Sequence, residues 1–200
     1  TNLSNQARLA RTLAPPDLVL TCGFAGGLNP DLKLGDVVFE FSPSRSRVDE
    51  AQIEIGNRQS VIGDQSETPH VVSYEKLIAA GAKLSKFLCA DRIATTIIEK
   101  KKLRDETGAD AVEMESATIH ATCRERGIPC VTIRVISDTA KEDLPLDFNQ
   151  LMTPDYKIDF VKLAFAVALK PWKIPALMQL QKKTKMAAEN LSRVLESLPI

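Results

Sequence analysis

Residues 109–138 read ADAVEMESATIHATCRERGIPCVTIRVISD, and the order of elements within them decides the fold. Ala109 to Met114 is a short run with strand character. Ser116 to Arg126 follows at helical spacing and is stopped by Gly127. Pro129 to Ser137 is the strongest strand of the chain, dense in β-branched residues. Strand, helix and strand in close succession are the unit of a layered α/β domain with a largely parallel sheet. Such a crossover predicts that the two strands are parallel neighbours.

The flanking sequence repeats the alternation. Thr96 to Thr107 reads as a charged helix ending at Gly108, a C-cap, and Lys86 to Ala90 as a strand. Tyr74 to Ala82 has helical character, Gly35 to Phe41 (GDVVFEF) strand character. Leu18 to Thr21 is a short strand, and CGFAGG after it reads as a turn with three glycines. Asn2 to Leu13 carries apolar residues at helical spacing, ended by Pro15 and Pro16. Ser42 to His70 is polar and without period, which predicts mostly loop.

Charged residues make up 26% of the chain and hydrophobic ones 44%, as in an ordinary soluble domain, and the formal net charge of zero gives no reason to expect nucleic acid. The charge is unevenly spread: seven basic residues and two acids fall between Val161 and Ile200. Phe160 to Leu180 is apolar, but Pro171, Pro175 and three lysines interrupt it, so two helices meeting at Lys170-Pro171 are expected rather than a membrane span. This basic amphipathic tail suits a solvated surface helix or one that touches an anionic membrane surface. Cys22, Cys89, Cys123 and Cys130 form no CxxC pair and read as reduced thiols of a cytoplasmic protein. His120 and Cys123 lack the further ligands a zinc site needs.

Three places carry chemistry-bearing residues at the carboxyl ends of expected strands, where open α/β sheets bind ligands. The glycines after Cys22 would let backbone approach a ligand closely. Glu113 and Glu115 flank Met114 and point to one side of an extended chain, and both also suit the start of the helix at Ser116. In the third strand Val131, Ile133 and Val135 share one face, with Arg134 and Asp138 on the other. A mid-strand arginine requires a partner, and the glutamates are the nearest supply.

Taken in order and spacing, TCGFAGGLNPDLKLGDVVF, ADAVEMESA and TIRVISDTA resemble the purine nucleoside phosphorylase / methylthioadenosine nucleosidase family, over residues from about Asn2 to Asp147. CADRIATT, LPLDFN and the basic tail are most similar to the hopanoid-associated phosphorylase subgroup. The resemblance implies a three-layer αβα fold with a mixed, largely parallel sheet, one domain over 1–200 with 160–200 as a basic helical tail, and a homodimer. It implies cleavage of a purine nucleoside or adenosyl compound at its N-glycosidic bond, by water or phosphate, without metal or redox cofactor. Carried over, Met114 and Glu115 lie along the ribose, and Asp138 is the general acid toward N7 of the base. Arg134 orients the nucleophile and the glutamates, and Ala25 and Gly26 lie against the base. Glu113, Phe24, Ile93, Ala94 and Ser137 complete the expected substrate surroundings.

The chain departs from the family pattern at Phe24, often serine, at Ile93, often aromatic, and at Thr1, before which the family has a strand, an acidic residue and a G-x-G turn. The expected domain is therefore incomplete at its N-terminus. An enzyme and a nucleoside-binding protein with impaired catalysis both fit these departures.

Overall fold

A computed structural model describes residues 16–42, 69–153, 155 and 157–198. The helix expected at Asn2 to Leu13 and most of the polar stretch from Ser42 to His70 lie outside them. In chain order the elements are β1 (Val19–Gly27), β2 (Val37–Ser42), α1 (Pro69–Ala79), β3 (Lys83–Leu84), β4 (Phe87–Cys89), α2 (Ile97–Thr107) and β5 (Ala111–Glu113). Then come α3 (Ser116–Glu125), β6 (Cys130–Asp138), α4 (Phe148–Leu151), α5 (Phe160–Leu169), a 3-10 turn at Pro171–Lys173 and α6 (Ile174–Glu196).

Local chemistry explains several of these boundaries. The Thr96 side chain accepts from the N–H of Glu99 at the start of α2, and Gly108 ends that helix at φ 65°. Gly127, also at φ 65°, follows α3. An apolar helix, α5, and an amphipathic one, α6, do meet across the Pro171–Lys173 turn, as the prolines require.

The six strands form one mixed sheet in the order β3-β2-β6-β1-β5-β4. β1 and β6 run parallel at its centre, and β2 and β5 lie antiparallel to them. β3 and β4 occupy opposite edges, yet only Ser85 and Lys86 separate them in the chain, so the sheet has to curl until its edges approach. The Ser85 N–H donates to the Phe39 carbonyl at 2.9 Å, extending the pairing of β3 with β2, and the Phe87 N–H donates to Oε1 of Glu40 at 3.3 Å, linking β4 to β2.

Two expectations are overturned here. The strands of the opening stretch are not parallel neighbours, because β1 lies between β5 and β6 and runs antiparallel to β5. A nine-residue strand such as β6 can satisfy its backbone only beside one of similar length, which β1 is and three-residue β5 is not. Nor is CGFAGG a turn. It is the last six residues of β1, paired with β6 as far as Gly26 and with β5 at Gly26 and Gly27, and Gly23, Gly26 and Gly27 do not adopt positive φ. Their small size serves close approach instead.

Behind the sheet, Val131, Ile133 and Val135 pack with Val37, Phe39 and Leu77 against Ala187, Leu191 and Val194 from the second half of α6. Each fully buried side chain of this kind contributes roughly 1.5–3 kcal/mol. The period-2 reading of β6 thus holds on its apolar face. The opposite face carries Arg134 and Asp138 toward the site.

Candidate functional site

Arg134 is 1% exposed. Its Nη2 donates to Oε2 of Glu113 at 2.8 Å, while Nη1 donates to the Thr21 hydroxyl at 3.2 Å and the Ile133 carbonyl at 3.1 Å. To reach β5 the side chain must cross β1, and it does so over Gly23. A Cβ there would stand 3.8 Å from Cδ, Nε and Cζ of Arg134. The pairing expected from the sequence is therefore present, made across an intervening strand.

Glu113 is enclosed by donors. Besides Arg134, its carboxylate accepts from the Ser116 hydroxyl at 2.6 Å, the Ser116 N–H at 3.0 Å and the Glu115 N–H at 3.0 Å. Those amides belong to the start of α3, where N–H groups lack helical partners. Burial pushes the Glu113 carboxyl up, but Ser116, the Glu115 amide, Arg134 and Cys89 outweigh it and hold the group below the usual carboxylate range. Glu115 differs. Its side chain is exposed, with Oε2 3.6 Å from Nη2 of Arg134, and Met114 between the two acids is half-buried.

Asp138 ends β6. A register shift between Ala25 and Gly26 sets Gly26 opposite it, so closely that a Cβ on Gly26 would lie 3.3 Å from Oδ2. The Ser137 hydroxyl donates to Oδ1 at 2.8 Å and also lies 3.3 Å from the Ala25 carbonyl. Nζ of Lys100, a fully buried lysine on α2, stands 2.6 Å from Oδ2. That distance makes an ion pair, but the approach is off the direction of a hydrogen bond, and Oδ2 accepts none among the described residues. Lys100 instead donates to the carbonyls of Thr139 at 2.8 Å and Glu142 at 2.9 Å.

The remaining expected residues divide. Ala25 is buried on β1 with Ile136 and Val38, and Phe24 beside it is exposed. Ile93 is clasped by Asn149 of α4, which accepts from its N–H at 2.8 Å and donates to its carbonyl at 2.9 Å. Ala94 packs with Leu28, Ala109 and Val112. The hydrogen bonds described here join Glu113, Glu115 and Arg134 in one group and Ala25, Ser137 and Asp138 in another, and Gly26 lies against the second. They do not tie Phe24, Ile93 or Ala94 to either.

Sequence reasoning passes over Lys100 and Asn149. Lys100 stands in the run EKKK, whose other lysines are solvated, and only its helical register with Leu103 hints at burial. Asn149 belongs to the LPLDFN segment, where nothing local marks its amide as a clamp.

Among the described residues no three His, Cys, Asp or Glu side chains converge as metal ligands. His120 bonds Thr132 at 2.6 Å, and burial lowers its pKa. Cys130, free and buried beside Cys123, is pushed up to about 12, chiefly by burial. A shallow cleft of about 390 Å³ between residues 30–34, Thr139 and Lys141 holds neither Arg134 nor Asp138.

Residues 79–168 match the phosphorylase superfamily. That span holds Lys100, both glutamates, Arg134 and Asp138. Over 148 residues the chain is 29% identical to the 5'-methylthioadenosine/S-adenosylhomocysteine nucleosidase of Shewanella halifaxensis, covering 68% of this chain and 62% of that protein. It is 30% identical over 149 residues to the aminodeoxyfutalosine nucleosidase of Helicobacter pylori, covering 67% and 61%. The chain thus spans about three fifths of the length of the curated relatives it matches. In structure it is similar to the Campylobacter jejuni 5'-methylthioadenosine/S-adenosyl homocysteine nucleosidase, with a TM-score of 0.51 at 20% identity over 98% of this chain and 75% of that one. The futalosine hydrolase of Helicobacter pylori gives 0.50 at 22%, over 98% and 73%. The fold is that of these nucleosidases, and the match to the phosphorylase superfamily is confined to residues 79–168.

Proposed function

We propose that this protein cleaves the N-glycosidic bond of a purine nucleoside or adenosyl compound, with water or phosphate as the nucleophile. One observation carries the reading: on the face of β6 that carries Arg134, a buried arginine–glutamate pair leaves Glu115 exposed, and the same strand ends in an aspartate with an unbonded oxygen. Breaking C1′–N9 leaves positive charge on the sugar and negative charge on the base. Glu115, with lone pairs to spare, meets the first need by accepting the ribose hydroxyls and stabilising an oxocarbenium-like transition state. Asp138, which must take up a proton in place of its ion pair with Lys100, meets the second by donating that proton to N7 as the bond breaks. The Lys100 ammonium then faces the carboxylate left behind. An oxygen of water or phosphate bonds to C1′ as C1′–N9 breaks, free base departs with the proton from Asp138, and an attacking water releases one proton to solvent.

Glu113 has its acceptors filled and serves as the support that orients Arg134 and the start of α3. Met114 packs along the sugar, while Ala25, Gly26 and Ser137 border the base. Ile93, held by Asn149, together with Ala94 and Phe24 shapes the pocket's rim. A single domain with a basic helical tail, a homodimer and a cytoplasmic, reducing setting belong to the same reading.

The test is incubation with adenosine and with methylthioadenosine, with and without phosphate, followed by assay for free adenine. Release that needs phosphate makes the protein a phosphorylase, and release without it a nucleosidase. Binding of nucleoside without release, in this chain and in one extended upstream of Thr1, would replace the enzyme by a catalytically impaired binding protein.

A further inference from the structure

Helix α5 is the sequence FVKLAFAVAL, nine apolar residues and one lysine, and none of the ten is buried. Phe160 is 78% exposed, Phe165 66%, Leu169 60% and, in the turn that follows, Trp172 69%. Ile174 and Met178 extend the exposed apolar strip onto the first half of α6, whose second half is the part packed on the sheet. Around this strip the charge has one sign. From Phe160 to Ala188 there are six lysines and no acid. Lys183 pairs with Glu142, while Lys162, Lys170, Lys173, Lys182 and Lys185 have no carboxylate partner among the described residues.

We infer that α5, the Pro171–Lys173 turn and the start of α6 form a docking surface for a bilayer carrying anionic lipid. The apolar strip would enter the headgroup–acyl boundary, with the lysines at phosphate level and Trp172 at the interface. Ten helical residues span about 15 Å, half the roughly 30 Å hydrocarbon core, so α5 lies on the membrane and does not cross it. No described helix is long and apolar enough to span one. Charge argues against a second copy as the occupant, because a two-fold interface would set these lysines against their own images.

Trp172 is the single tryptophan of the chain, so its emission reports this surface alone. The full chain is mixed with vesicles of phosphatidylcholine, pure or with roughly a quarter phosphatidylglycerol, a content that makes the surface negative. The expected result is a shift of emission to shorter wavelength, with co-sedimentation, on the anionic vesicles. Phe165→Glu, at an exposed position, abolishes both while melting like the parent, and Lys170→Gln and Lys173→Gln each weaken binding about fivefold. Salt at about 1 M, where screening falls to about 3 Å, releases the protein. Emission indifferent to every vesicle, or binding that survives Phe165→Glu, overturns the inference. So does a shift that grows with protein concentration in the absence of lipid, which would assign the face to a second copy. None of these readouts depends on turnover, so they stand or fall apart from the proposed reaction.

Discussion

Two buried ion pairs hang from β6, and they are built differently. Around Arg134–Glu113 the carboxylate is filled: two helix-start amides and a serine hydroxyl donate to it beside the guanidinium, which also donates to a threonine hydroxyl and a carbonyl. Around Lys100–Asp138 the lysine is satisfied by two carbonyls, but Oδ2 of the aspartate has charge contact without a hydrogen bond. A filled network holds geometry, because moving any member leaves a buried polar group unpaired. A partly filled one holds an oxygen in place with a hydrogen-bond direction still open. Support and chemistry are divided between two pairs four residues apart on one strand.

The division is broken most forcefully at Glu113. Replacing it by alanine leaves a buried guanidinium without its carboxylate and is expected to lower stability by about 3–5 kcal/mol in urea unfolding. Adding Arg134→Met should return much of that loss, since the uncompensated charge goes with it. Failure of the double variant to recover would mean that the glutamate's bonds to α3 outweigh the ion pair.

At the second pair the loss should appear in turnover. Asp138→Asn is expected to slow base release about 10²–10⁴-fold. Its stability loss should be smaller than that of Glu113→Ala, because Lys100 keeps its two carbonyls. Equal losses of stability at the two positions would erase the distinction between them.

Glycines give a finer test. Gly26→Ala puts a methyl 3.3 Å from Oδ2 of Asp138, and a displacement of a few tenths of an ångström there should lower turnover by about tenfold. Gly23→Ala meets Arg134 at 3.8 Å, an ordinary contact, and should leave turnover and melting temperature nearly unchanged.

The smallest effect is on pH dependence. Glu113 ionises below its usual 4.5 in the folded chain, so the stability it contributes is complete above that value and is lost as pH falls through the lower folded one. Asp110 and Glu142 are lowered as well and act with the same sign. Melting temperatures followed from neutrality to below 4.5 should therefore fall less steeply in Glu113→Ala than in the parent, without becoming flat.

How much of this was legible beforehand depends on whether the cause is local. The helix ends at Gly108 and Gly127 were readable, since one or two residues set them. So was the need of Arg134 for a carboxylate, because a buried cation demands a partner wherever the strand goes. Lys100 was not, since its neighbours in EKKK are solvated and its burial depends on the loop from Thr139 to Glu142, some forty residues away. Asn149 was hidden for the same reason: its partner is the backbone of Ile93, and backbone leaves no trace in side-chain pattern.

By itself, the sequence determined the alternation of strands and helices, the apolar face of β6, and which charged residues had to find partners. These follow from period, from propensity and from the penalty on a lone buried charge. Tertiary structure decided that β1 separates the strands of the opening stretch, that its glycines are strand rather than turn, and that Lys100 faces Asp138. The first two depend on which long strand satisfies which other's backbone and the third on a loop some forty residues away, and no local window contains such contacts between distant segments.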